Sequence, residues 1–267
     1  MSWKLAHEGS RLVGWLADRR VPRALRAPLF RAFARATGAD LSEVRPPLDA
    51  YPSLGAFFVR RLREDSRPIE ADPESLVSPV DGRLTALGRV HEGSLLQAKG
   101  RWYSVRQLLA GSSEDVDLEG AWAWTLYLSP RDYHRIHAPE TCWLHEVRWI
   151  GGTRFPVRPG TLAARDVLGT NERVALRLKT DHGPLLMVLI GALNVGRIRV
   201  VGCEPARDAC LDPPRSFERG EEMARFELGS TVVMIVPPGR AEPAAVEEGG
   251  VVRYGRTIGR WLTEAAP

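Results

Sequence analysis

Beyond residue 72 the apolar residues come in short runs, each closed within a few positions by Gly, Pro or Asp: 83–90, 121–128, 174–178, 185–193, 197–201 and 231–236. Runs of this length suit strands and are too short for helices that bury a stripe. Helical spacing after residue 72 is confined to the neighbourhood of 107–110. The chain therefore reads as α+β, a short N-terminal helical region followed by a mainly antiparallel β body. Residues 46–70 pass from a proline-rich turn through a short helix near 57–62 to another proline, which puts the division at 1–68 and 69–267. The longest strongly apolar stretch, 185–193, has nine residues, against the roughly 18–20 that a membrane-spanning helix needs.

The net charge of +4 is unevenly placed. Residues 1–40 carry eight basic and three acidic side chains, a net +5, which leaves −1 for the other 227 residues. Trp3, Leu5, Leu12, Trp15 and Leu16 fall near helical spacing with Arg11, Arg19 and Arg20 elsewhere on the wheel. After Pro22 a second amphipathic piece sets Leu25, Leu29, Phe30 and Phe33 among Arg23, Arg26, Arg31 and Arg35. Two readings fit this pattern: a helix lying in a membrane interface, or a basic surface helix packed on its own core. A nucleic-acid arm is disfavoured, since the segment has neither a dense basic run nor a recognisable motif.

Residue usage narrows the chemistry. Lysine occurs only at positions 4, 99 and 179, so a pyridoxal phosphate enzyme has few Schiff-base candidates. Cys142, Cys203 and Cys210 are odd in number and form no CxxC pair. With no secretory leader, they predict free thiols in a reducing compartment.

Three segments can carry chemistry. In Ser78-Pro79-Val80-Asp81-Gly82 the aspartate stands in a turn leading into a strand, where a carboxylate often satisfies backbone N–H groups. In Tyr133-His134-Arg135-Ile136-His137-Ala138-Pro139 two of six histidines lie three apart, and histidine is the natural general base near neutral pH. A metal set of His134, His137, Cys142 and His145 matches no standard zinc spacing. In Arg225–Val233 a Gly229-Ser230-Thr231 lies inside a strand pattern; glycine there marks close backbone approach or strain. It is not a G-x-S-x-G elbow, because Leu228 stands two before the serine. An Asp81, His137, Ser230 triad is compatible with this order, but spacing does not assemble it.

These segments resemble the phosphatidylserine decarboxylase proenzymes. The resemblance runs over nearly the whole chain after the first forty or so residues. It takes in Tyr51, Phe57-Phe58-Val59-Arg60, Arg67-Pro68-Ile69, the Ser-Pro-x-Asp-Gly turn, the paired histidines, Asn171-Glu172-Arg173, residues 188–196 and Gly220–Thr231 with its Leu-Gly-Ser-Thr signature. It implies a self-cleaving enzyme. Ser230 attacks the carbonyl of Gly229, the ester undergoes β-elimination, and the products are a β chain (1–229) and an α chain (230–267) that starts with pyruvoyl derived from Ser230. By the same resemblance His137 is the base for Ser230, Asp81 orients it, and His134 is an acid/base group in decarboxylation. The pyruvoyl ketone at position 230 forms a Schiff base with the substrate amine and serves as electron sink, in place of pyridoxal phosphate or a metal.

The implied substrate is phosphatidylserine, converted to phosphatidylethanolamine and CO2. A lipid substrate favours the interfacial reading of the basic N-terminus, because anionic headgroups attract such arginines at roughly 1 kcal/mol each. This places the protein peripherally on the cytoplasmic face of the membrane. Arg135 and Arg173 are candidate headgroup-phosphate contacts on charge alone. A serine hydrolase that uses Asp81, His137 and Ser230 without cleaving itself is the alternative, as is a decarboxylase for another serine-headgroup lipid. A homodimer is left open.

Overall fold

Strand Ser230–Val236 is buried along its whole length and pairs antiparallel on both sides, with Trp122–Leu128 and with Gly183–Gly191. The computed structural model describes residues 17–97, 101–112, 115–157, 167–192, 198–227 and 230–262. Around that strand an eight-stranded sheet runs in the order Ala209–Phe217, Cys142–Ile150, Arg173–Thr180, Gly183–Gly191, Ser230–Val236, Trp122–Leu128, Gly82–Arg89, Val251–Val252. Every neighbouring pair in it is antiparallel. A smaller sheet joins Ile198–Val200, Glu222–Phe226 and Arg135–His137. Another joins Ser75–Val77, Thr257–Trp261 and Ala241–Pro243. The fold is α+β with an antiparallel, β-rich body.

The central strands read as solid apolar runs because both faces of the sheet are covered. Val232, Met234 and Val236 enter one hydrophobic cluster with Trp124, Leu126 and Phe226. The intervening Val233 and Ile235 enter a second with Leu108, Leu109 and Ile190. Leu185, Met187 and Leu189 alternate with Leu186, Val188 and Ile190 between the same two clusters.

Two nine-residue strands of the main sheet, besides several shorter strands, lie outside the runs expected from sequence. Cys142–Ile150 buries Cys142, Leu144 and Val147, and a register shift between Leu144 and Glu146 breaks its alternation. Ala209–Phe217 contains Pro213 and Pro214 and is mostly exposed. It forms one edge of the sheet, where a missing backbone N–H costs no ladder bond.

At the N-terminus, helix Arg23–Thr37 ends on Gly38, whose φ of 81° places it in the left-handed region and lets its N–H reach the carbonyl of Ala34. Glycine adopts that conformation at little cost. The helix divides its apolar residues. Phe30 stacks on Phe57 at 4.6 Å, and Phe33 meets Phe57 and Phe58 edge-on. Leu25 and Leu29 instead face solvent, 58% and 39% exposed. The first amphipathic piece, with Trp3, Leu5, Leu12, Trp15 and Leu16, lies outside the described residues. No helix among the described residues is long and apolar enough to cross a membrane.

Candidate active site

The Ser78–Gly82 turn is bolted to the histidine segment by its backbone. The N–H of His137 donates to the carbonyl of Pro79 (2.9 Å), and the N–H of Val77 donates to the carbonyl of Pro139 (3.2 Å). Gly82 is required by a close approach: a Cβ there would stand 2.3 Å from the carbonyl oxygen of Tyr127. The strand that Gly82 begins puts Arg83 opposite Tyr127, and on the other side of Tyr127 stands Thr231. The register of three strands thus brings Asp81 and Ser230, 149 residues apart, to one end of the sheet.

Asp81 is buried and committed to Arg67. The guanidinium donates from Nε to both carboxylate oxygens at 3.1 Å and from Nη2 to Oδ2 at 2.6 Å, and the N–H of Tyr254 adds a bond to Oδ1 at 3.0 Å. Arg67 also donates to Glu43 at 2.9 and 2.7 Å. Burial alone would lower the Arg67 pKa, but the bonds from Asp81 and Glu43 outweigh it and raise it above the ordinary value. Asp81 makes no hydrogen bond to His137; its influence on that ring is a Coulomb attraction that favours the protonated form.

What orients His137 is a backbone carbonyl. Its Nδ1 lies 2.7 Å from the oxygen of Gly220, which only accepts, so Nδ1 carries the proton. Nε2 of the neutral ring is then an acceptor, filled by the Tyr133 hydroxyl at 3.0 Å. Tyr254 stacks on the imidazole at 4.0 Å and 8°. Burial lowers the pKa of His137, against the Gly220 bond and the charges of Glu222 and Asp81. Burial and the neighbouring Tyr254 raise that of Tyr133, so the phenol keeps its proton.

His134 is fully buried beside Phe58, with ring centroids 4.1 Å apart. Its Nδ1 donates to the carbonyl of Asp132 at 2.8 Å. Its Nε2 has no partner among the described residues. Burial pushes the pKa of His134 down to about 3, so it is neutral with an open acceptor. The N–H of Phe226 donates to the carbonyl of His134 (2.9 Å), which ties the approach to Ser230 to the histidine segment. Ser230 is fully buried, and its Oγ, like Oγ1 of Thr231, has no hydrogen-bond partner among the described residues. A buried unsatisfied hydroxyl costs about 1–3 kcal/mol, and a group kept in that condition invites a chemical explanation. Gly229 lies outside the described residues.

Backbone pairing therefore brings Asp81, His134, His137 and Ser230 into one region, but their side chains form no hydrogen-bonded triad. Both candidate headgroup arginines are held by protein. Arg173 is buried and donates to the carbonyls of Leu108, Asn171 and Gln107. Arg135 donates to the carbonyl of Val59 and to both carboxylate oxygens of Glu222. These contacts give both arginines structural work. The residues that sequence reading passed over are Tyr133, Tyr254, Gly220, Arg60 and Arg67. Tyr133, Arg60, Arg67 and Gly220 stand inside the quoted motifs; nothing local marks Tyr254, which arrives from the C-terminal region. Among the described residues no three of His, Cys, Asp and Glu gather as a metal ion requires.

Two buried neutral histidines, a buried carboxylate locked to arginine and an unpartnered serine at the head of a central strand form a candidate enzyme centre on a β body. Residues 54–260 match the family model for phosphatidylserine decarboxylase. The chain is 38% identical over 266 residues to the phosphatidylserine decarboxylase proenzyme of Marinobacter nauticus, covering 94% of this chain and 92% of the relative. It is likewise 38% identical to the proenzyme of Bordetella avium, over 94% and 90% of the two chains, and to that of an Anaeromyxobacter species, over 94% and 93%. The chain belongs to the phosphatidylserine decarboxylase family and is a decarboxylase enzyme.

Proposed function

We propose that this chain cleaves itself at Gly229–Ser230 and then decarboxylates phosphatidylserine to phosphatidylethanolamine and CO2. The observation that carries the reading is the Ser230 hydroxyl, fully buried and without a partner among the described residues. Most buried hydroxyls with a structural role are hydrogen-bonded, whereas a nucleophile needs its oxygen free to attack.

In the first stage Ser230 Oγ attacks the carbonyl carbon of Gly229 and gives its proton to Nε2 of His137. That nitrogen is available only once Tyr133 releases it, since its hydroxyl now fills it at 3.0 Å. The amide nitrogen leaves with a proton, and an ester joins Gly229 to the side chain of Ser230. β-Elimination removes the Cα proton of residue 230 and breaks the Cβ–Oγ bond, so that Gly229 leaves as a carboxylate, residue 230 becomes dehydroalanine and the proton passes to a base. Water then displaces its nitrogen as ammonia, and residue 230 becomes a pyruvoyl group. Asp81 supports the transient positive charge on His137 through space. A second reading exchanges the histidines, because Nε2 of His134 is the open acceptor in this structure. His137→Ala and His134→Ala proteins, scored for cleavage, distinguish the two.

The residue at position 230 fits a pyruvoyl precursor, since the orphaned oxygen is the atom that the conversion expels. That group supplies an electrophilic carbonyl that draws electrons from the bond to the departing carboxylate. His134, neutral and dry, takes a proton from the substrate ammonium at Nε2 and returns one to the carbon that has lost CO2. The outward Leu25 and Leu29, on a helix that also exposes Arg31 and Arg35, support docking of the enzyme on an anionic bilayer.

One mass spectrum tests the first stage. The expected products are a 229-residue chain and a 38-residue chain, and Ser230→Ala protein is expected to stay whole. Release of CO2 from phosphatidylserine vesicles tests the second. A wild-type protein that remains intact sinks the proposal and favours a hydrolase that never processes itself; a Ser230→Ala protein that is cleaved sinks it by removing Ser230 from the cleavage step.

A further inference from the structure

Arg60 is 3% exposed, yet two of its three guanidinium nitrogens, Nε and Nη1, have no hydrogen-bond partner among the described residues. Only Nη2 is engaged, by the carbonyls of Arg131 (2.7 Å) and Asp132 (3.2 Å), while the guanidinium carbon lies over the Phe57 ring at 5.4 Å. Removing a cation from water without an anion beside it costs several kcal/mol, so the arrangement asks for a counter-ion.

The surroundings do not supply one. Arg60 lines a cavity of about 270 Å³ with Arg67, Asp81, Asp132 and Tyr133 among its walls. The carboxylates of that wall serve other donors. Asp81 and Glu43 hold Arg67, and Glu43 also holds Arg253 at 2.9 Å. Asp132 accepts from the N–H and hydroxyl of Ser129, and Asp40 from the N–H and hydroxyl of Ser42. The cavity is smaller than the roughly 300–1,000 Å³ of sites for drug-sized ligands. It suits a polar headgroup without its acyl chains.

We infer that Arg60 is the anion-binding residue of the substrate site, its unfilled guanidinium donors attracting an oxyanion of the phosphoserine headgroup. The inference rests on the proposed decarboxylation of phosphatidylserine and deepens it. Position supports it. The carbonyl of Asp132 accepts from both Arg60 Nη2 and His134 Nδ1, and Phe58, two residues before Arg60, packs on the His134 ring. An anion on Arg60 is therefore one shared carbonyl away from His134. The Nε–H lies along the Nη2 edge and Nη1 on the Cδ side, so the two unfilled donors offer an anion separate charge-assisted hydrogen bonds. Arg135 and Arg173, by contrast, donate from Nε and both terminal nitrogens to protein oxygens.

Arg60→Met and Arg60→Lys proteins test the assignment, with self-cleavage by mass reporting whether each has folded. In CO2 release from phosphatidylserine in mixed micelles, Arg60→Met is expected to raise KM tenfold or more. Arg60→Lys, which keeps the charge and loses the fixed, delocalised set of guanidinium donors, is expected to recover only part of that loss. A folded Arg60→Met protein with KM within twofold of wild type overturns the inference.

Wild-type protein provides a measurement free of folding defects. Phenylglyoxal modification of Arg60, followed by peptide mass, is expected to slow in glycerophosphoserine. Glycerophosphoethanolamine offers the phosphate alone and L-serine the carboxylate alone, so protection by one of them identifies the bound anion. Absence of protection by all three overturns the inference. A wild-type enzyme that releases no CO2 refutes the proposed function instead, and the labelling result still judges Arg60.

Discussion

Tyr133 holds its hydroxyl 3.0 Å from Nε2 of His137, the ring nitrogen left to accept once Nδ1 donates to Gly220. In this state the base proposed for Ser230 is occupied by a neighbour four residues earlier in its own segment. The bond stabilises the neutral imidazole and competes with Ser230 for the same lone pair. Tyr133 is thus placed to set both the basicity of His137 and the moment at which it becomes free.

Tyr133→Phe is expected to move the midpoint of the self-cleavage rate against pH upward. Loss of a hydrogen bond to the neutral form raises the pKa of His137, and a bond of about 1 kcal/mol corresponds to about 0.7 of a pH unit. Cleavage rates from pH 5 to 8 check it. A midpoint that stays in place, or falls, removes Tyr133 from the control of His137.

The buried histidines predict a loss of stability in mild acid. Burial lowers the folded pKa of both His134 and His137 below the ordinary 6.5, so the unfolded chain binds protons that the folded one refuses. The stability they permit is complete above pH 6.5 and falls with pH towards their folded values. Each contributes a slope of about 1.4 kcal/mol per pH unit while only the unfolded form is protonated. Urea midpoints of uncleaved Ser230→Ala protein between pH 6.5 and 5, a window above most carboxylate titration, measure the slope. His134→Gln in that background is expected to flatten it, and an unchanged slope excludes the account.

Arg67 and Asp81 are a buried pair in which one partner has a substitute and the other does not. Arg67→Met leaves the Asp81 carboxylate buried with only the Tyr254 N–H, and is expected to destabilise by about 3–5 kcal/mol. Asp81→Asn leaves Arg67 still bonded to Glu43, and is expected to cost about 1–3 kcal/mol. Denaturant unfolding of both in the Ser230→Ala background reads the difference. Equal losses contradict the arrangement.

Leu25 and Leu29 separate membrane docking from folding. Truncation at residue 40 would also remove Phe30, whose ring stacks on Phe57, and so would damage the support of Phe58 and His134. Leu25→Glu with Leu29→Glu changes only the exposed face of the helix. Sedimentation with phosphatidylglycerol-containing vesicles is expected to weaken at least tenfold, with little change in thermal midpoint. Undiminished binding moves the docking surface elsewhere.

Sequence alone determined the β-rich class, the three chemical segments and the family resemblance, because these are local properties. Short apolar runs between breakers specify strands whatever lies beside them, and the Asp-Gly, paired-histidine and Gly-Ser-Thr motifs are legible one residue after another. Tertiary structure decided who touches whom. Asp81 pairs with Arg67 across fourteen positions, His137 takes its orientation from Gly220 eighty-three positions away, and Tyr254 reaches the ring from the C-terminal region. Charge on its own nominated Arg135 and Arg173, whereas burial with unfilled donors nominates Arg60. The reason is physical: a side chain's pKa, freedom and partners depend on the solvent it has lost and the strands packed over it. Neither is a property of its neighbours in the chain.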